Sequence, residues 1–115
     1  MPIDVQWEEM DWEANVSGPA PSRTLQLVSD DNSLVRGILS DLEDEEFPYL
    51  SFIGLDTVTV FHQRHLAQLI SELERLAKKD FDTKVADHLQ LIEQLVFRAY
   101  GVEDTHITFR ARRQN

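Results

Sequence analysis

The feature that most constrains this chain is a change of hydrophobic period inside one stretch, residues 47–77, FPYLSFIGLDTVTVFHQRHLAQLISELERLA. Up to Phe61 the pattern has period two: in Thr57–Phe61 hydroxyl and apolar side chains alternate, all of them β-branched or aromatic, as suits a half-buried strand. Tyr49–Ile53 has a similar character, and Gly54-Leu55-Asp56 between the two runs offers a residue able to take positive φ. The expectation is a β-hairpin with Val58 and Val60 pointing into the core. After Phe61, Leu66, Leu69, Ile70, Leu73 and Leu76 recur at steps of three and four along one side of a helix. Gln68, Ser71, Glu72 and Arg75 are expected on its wet face. About 15 residues at 1.5 Å each give roughly 22 Å, enough to cover two strands.

The rest of the chain supplies partners for that unit. Ile3, Val5 and Trp7 alternate with polar residues in a first strand, and Thr24–Val28 does so in a second. The polar run Ser29–Ser33 offers N-caps for a short helix carrying Leu34, Val35, Ile38, Leu39 and Leu42. Beyond the central helix, Asp80, Asp82 or Thr83 can cap another, with Val85, Leu89, Ile92, Leu95, Val96 and Ala99 on one stripe and Gly101 at C′. A short connection predicts an antiparallel helix pair. Leu91 and Phe97 fall off the stripe, which implies burial on more than one side or an exposed patch that admits a homodimer. Thr105–Ala111 closes the chain as a strand with Ile107, Phe109 and Ala111 on one face. The predicted fold is α+β in a single domain: a mostly antiparallel sheet of about five strands, with a short helix and a two-helix hairpin on one face.

Charge is the feature most informative about partners. The formal net charge is −10, with 13 acidic and 2 basic residues in positions 1–56 against 8 and 9 in 57–115, so the front carries −11 and the back +1. This disfavours nucleic acid and anionic membranes, whose phosphates need Lys and Arg, and favours a basic protein partner. The densest run, Asp41, Glu43, Asp44, Glu45 and Glu46, follows the short helix, where the negative end of the dipole opposes it. It is either a solvated turn or a contact surface for Lys and Arg on another protein. Asp30 and Asp31 extend the candidate surface. Trp7 and Trp12, set among carboxylates, are either packed against their own domain or anchors at an interface.

Other chemistry is sparsely represented. There are no cysteines, hence no disulfide framework and no thiol nucleophile. The N-terminus lacks the basic and apolar regions of a signal peptide, and no apolar run nears 18 residues, so a cytoplasmic location is expected. His62 and His65 form H-x-x-H, with His88 and His106 as distant third ligands. H-E-x-x-H is absent, however, and Arg64 opposes a dication, so ordinary surface or capping histidines are expected. No nucleophile elbow, phosphate loop or calcium loop is present. The expectation is a non-enzymatic protein without cofactors.

Phe47-Pro48-Tyr49-Leu50, the run Thr57–Phe61 and the Leu-rich helix around Ser71–Leu76 together resemble a group of small uncharacterised bacterial proteins with an FP-x-L, hairpin, TVF and helix arrangement. The likeness spans roughly residues 36–111. In size, acidity and lack of catalytic residues the chain is also similar to immunity proteins of bacterial polymorphic toxins. That resemblance implies a stoichiometric inhibitor which masks a basic toxin surface or active site with its own acidic one.

Overall fold

A computed structural model describes residues 2–10, 22–30 and 34–111. Four strands, β1 (Ile3–Met10), β2 (Ser22–Val28), β3 (Val58–Phe61) and β4 (Thr105–Ala111), form one open sheet in the order β2-β1-β4-β3, each neighbouring pair antiparallel. Three helices accompany it: α1 (Leu34–Leu39), α2 (Gln63–Ala77) and α3 (Thr83–Ala99). The fold is therefore α+β, with four strands among the described residues where about five were expected.

The strand that is missing is the first arm of the expected hairpin. Residues 47–53 instead make helical turns, with Ser51 N–H donating to Phe47 O (2.8 Å), Phe52 to Tyr49 O (3.1 Å) and Ile53 to Leu50 O (3.3 Å). Phe47, Leu50 and Ile53, three apart, are all buried, while Phe52 is 76% exposed. A spacing of three suits a 3₁₀-like turn and not a pleated strand. Gly54 does not supply positive φ; a Cβ there would run into the Thr57 hydroxyl, so any larger residue has to displace that side chain.

β3 forms where it was expected, but in the opposite phase. Thr59 and Phe61 face the core, and Val58 and Val60 are 48% and 39% exposed. One phenyl ring outweighs two valines in apolar area: Phe61 packs edge-on against Phe109 at 5.7 Å and stacks on Tyr49 at 5.9 Å. Thr59 tolerates the interior because its Oγ1 accepts the Gly54 N–H at 3.0 Å.

The covered face of the sheet carries Ile3, Val5, Ile107 and Phe109, which join α2 and α3 in one core cluster. Gln63, at the start of α2, donates to Ala99 O at the end of α3 (2.7 Å) and accepts from Gly101 N–H (2.8 Å), so the two helices run antiparallel. Asp82 caps α3 through Val85 N–H at 3.0 Å, and Gly101 sits past its end at φ 88°. Of the residues expected on the wet face of α2, Glu72 is fully buried. Its Oε1 accepts from Tyr49 N–H (2.9 Å) and Leu50 N–H (3.0 Å), and its Oε2 from Gln68 Nε2 (2.9 Å). A carboxylate thus takes up the free donors at the start of the 47–53 turns and ties them to the helix.

Candidate partner-binding surface

Asp41, Glu43, Asp44, Glu45 and Glu46 are all exposed, in the turn that links α1 to Phe47. Phe47 N–H closes that turn onto Glu43 O at 2.9 Å, so the backbone is held while the carboxylates face water. Among the described residues only Glu46 of the five forms an ion pair, with Lys79 at 3.6 Å between half-exposed groups. Lys79 is itself shared: its Nζ lies 5.4 Å from the centroid of the Phe47 ring, beside Arg75 at 5.5 Å. One exposed pair of this kind contributes at most about 1 kcal/mol, and it leaves four carboxylates without a cation.

Beside the run lies a groove of about 390 Å³ between α1 and the connection from α2 to α3. Leu34, Ile38, Leu42, Phe81 and Val85 line it, and Asp41 and Lys79 stand at its edge. Asp41 therefore belongs to the acidic run and to the groove together. Apolar lining with charged side chains of both signs at its edge has the composition of a protein contact whose centre is dry and whose rim is wet.

Of the other sequence-derived candidates, Asp30 and Trp7 do not join this surface. Asp30 is fully buried: Oδ2 accepts from Ile3 N–H (2.9 Å) and Oδ1 from Leu34 N–H (2.8 Å), which makes it the tie between β1 and α1. Trp7 is partly buried on the covered face and packs against the core, with its indole N–H enclosed and without a hydrogen-bond acceptor among the described residues. That placement fits packing within the domain. Asp31 and Trp12 lie outside the described residues.

One cluster has no counterpart in the sequence analysis. On the sheet face away from α2 and α3, Glu8, His106 and Thr108 are buried side by side. Thr108 Oγ1 donates to Glu8 Oε1 at 2.5 Å, His106 Nε2 lies 3.4 Å from the same oxygen, and Arg110 reaches Glu8 Oε2 at 3.9 Å while donating to Gln6. The threonine hydroxyl is directed at the carboxylate and not at the imidazole, so the geometry is that of a satisfied polar network and not of a base-activated nucleophile. Its signal in the sequence was the alternation that puts Glu8 on the same side as Gln6, but pairing it with residue 106 needs the sheet register.

The ring of His62 lies between those of His65 and His106, with centroids 6.1 and 6.2 Å away respectively. Among the described residues no three His, Cys, Asp or Glu side chains are placed to hold a metal ion. His65 Nδ1 faces the His62 N–H at 3.2 Å and Nε2 faces Arg64 Nε at 3.2 Å; a neutral imidazole accepts at one nitrogen only, so these two bonds are alternatives. Burial against Tyr49 and Phe61, then the Arg64 guanidinium and His62, hold the pKa of His65 below its ordinary 6.5. Because the folded form binds the proton less readily than the unfolded one, this group favours the fold above that value and opposes it as pH falls below. An NMR titration should therefore place the His65 midpoint under 6.5. Arg64→Ala should raise it only in part, since burial is the larger cause. An unshifted midpoint would contradict the burial.

No helix among the described residues is long and apolar enough to cross a membrane. Compared with protein-family models, curated proteins and solved structures, the chain has no match in any of the three.

Proposed function

We propose that this protein is a non-enzymatic, acidic protein-binding module, acting in the cytoplasm as an immunity-type inhibitor that covers a basic surface or active site of a toxin domain. The observation that carries this reading is the adjacency of the largely unpaired acidic run and the apolar groove, with Asp41 common to both. The carboxylates of residues 41–46 would steer a cationic partner, and the groove would take one of its apolar side chains. Charge would then act on the rate of encounter and the groove on the lifetime of the complex.

The two contributions separate kinetically. With an immobilised toxin domain of basic surface as the probe, association should slow as salt shortens the Debye length from ~30 Å at 0.01 M to ~8 Å at 0.15 M. The variant Asp41→Asn, Glu43→Gln, Asp44→Asn, Glu45→Gln, Glu46→Gln should lose about ten-fold or more in association rate and most of the salt dependence. Phe81→Ala should chiefly speed dissociation. An amide variant that still binds as fast, with the same salt slope, would remove the proposal.

A second reading is an adaptor that self-associates through α2 and α3, and Leu91 and Phe97, 52% and 67% exposed, favour it. Six residues apart, these side chains are about 120° apart around the helix. The hollow beside Phe97 is lined by Glu74, Gln90, Glu93 and Arg98, which breaks the apolar area. The acidic surface is the better supported of the two.

A further inference from the structure

The two edges of the sheet are not alike. β2 carries Arg23, which bonds to Glu9 at 2.6 Å, and its pairing with β1 is interrupted by a register shift at Trp7/Glu8 that leaves Leu25 opposite no residue. Charge and a bulge of this kind keep an edge from accepting another strand. β3, at the other edge, has neither. From Thr57 to Phe61 it contains no charged residue and no proline, and its pairing with β4 is regular.

The backbone of β3 shows which groups are left over. Ala111 N–H bonds to Thr57 O at 3.0 Å, so in the antiparallel ladder Thr57, Thr59 and Phe61 direct their polar groups to β4. Val58 and Val60 direct theirs outward. Among the described residues nothing pairs with them. Their side chains are exposed, and Phe52, the most exposed large apolar residue described, shares a groove of about 320 Å³ with Val60 and Phe61 along this edge.

We propose that the β3 edge binds a second copy of this chain, β3 against β3, to make one continuous antiparallel sheet across a two-fold axis at Thr59. Of the registers open to outward-facing Val58 and Val60, the one that pairs Val58 of each copy with Val60 of the other uses all the free donors and acceptors. It also sets the exposed valines in cross-strand contact. The same register brings Asp56 of one copy opposite His62 of the other, two residues from Arg64, and does so twice by symmetry. Asp56 is well placed for this, since Arg36 holds it through Asp56 Oδ1 (2.8 Å) and Leu55 O (2.9 Å) while its side chain stays 62% exposed. In a chain of net charge −10, an uncharged strand flanked by Asp56 at one end and Arg64 at the other is where a second copy meets attraction and not repulsion. Residues 41–46 contribute nothing to the contact, so the proposal does not depend on the acidic-surface reading.

Sedimentation of the full chain over a range of concentrations should show a reversible monomer–dimer equilibrium. Val60→Pro removes an outward N–H without touching the ladder to β4, and proline is tolerated on an edge strand. It should weaken the dimer about ten-fold or more with circular dichroism unchanged. If that variant does not fold, Val60→Lys, which places like charges on both copies, serves the same purpose. Amide exchange at Val58 and Val60 should slow as concentration rises. A wild-type chain that stays monomeric at every concentration overturns the proposal, and so does a dimer that neither substitution weakens, since it would be formed through another face.

Discussion

Replacing Glu72 with alanine is expected to destabilise the protein by about 2–5 kcal/mol, read from the midpoint of denaturant unfolding. The carboxylate is completely buried and receives the N–H groups of Tyr49 and Leu50 and the amide of Gln68. Removing it leaves two backbone donors enclosed without an acceptor, at about 1–3 kcal/mol each. The loss does not stay local, because Phe47 and Leu50 on the same turns are each 1% exposed and belong to the core. Amide exchange should accordingly accelerate first at Tyr49 and Leu50. Glu72→Gln keeps one acceptor oxygen and should cost less, about 1–2 kcal/mol, as the charge assistance is lost. If the alanine variant matched the wild type within ~0.5 kcal/mol, as a surface substitution does, Glu72 would not be what holds residues 47–53.

Asp30→Ala should have the next largest effect, about 2–4 kcal/mol by the same measurement. Its two oxygens serve Ile3 N–H, at the start of a central strand, and Leu34 N–H, at the start of α1, while its own N–H donates to Asp4 Oδ1 at 2.9 Å. Asn in its place can satisfy one of the two donors and should recover part of the loss. A null result would mean that solvent reaches these donors. The same substitution should leave the fast, salt-dependent phase of partner association unchanged, since Asp30 is not on the acidic surface.

Patterns carried by neighbouring residues were read correctly because their causes are local. In α2 and α3 the apolar stripe at steps of three and four leaves one solution for a helix. Asp82 and Gly101 mark the ends of α3 by a side-chain acceptor and a positive φ that few residues other than glycine take. β4 alternates as its sequence does, with Ile107 and Phe109 on the face that joins the helices, although His106 and Thr108 on the other face are buried as well. The exposure of Asp41, Glu43, Asp44, Glu45 and Glu46 likewise follows from five carboxylates within six residues that no single interior could neutralise.

The failures share a different cause, a partner distant in sequence. Tyr49–Ile53 satisfies the composition of a strand, and the spacing of Phe47, Leu50 and Ile53 satisfies that of a helical turn. Glu72, more than twenty residues away, decides between them by accepting the N–H groups that a turn leaves free. The phase of β3 was decided by Phe109 and Tyr49 closing on Phe61. Asp30 and Glu72 were taken for surface charges because burial of a carboxylate depends on donors brought from elsewhere, and sequence periodicity records only side-chain polarity. The groove beside Asp41 also needed tertiary structure, as its walls come from α1, the turn after it and the start of α3. Period and end-points of elements are thus settled by short-range sterics and solvation, whereas the phase of a short strand, the identity of an ambiguous turn and the fate of an isolated charge depend on which distant groups reach it.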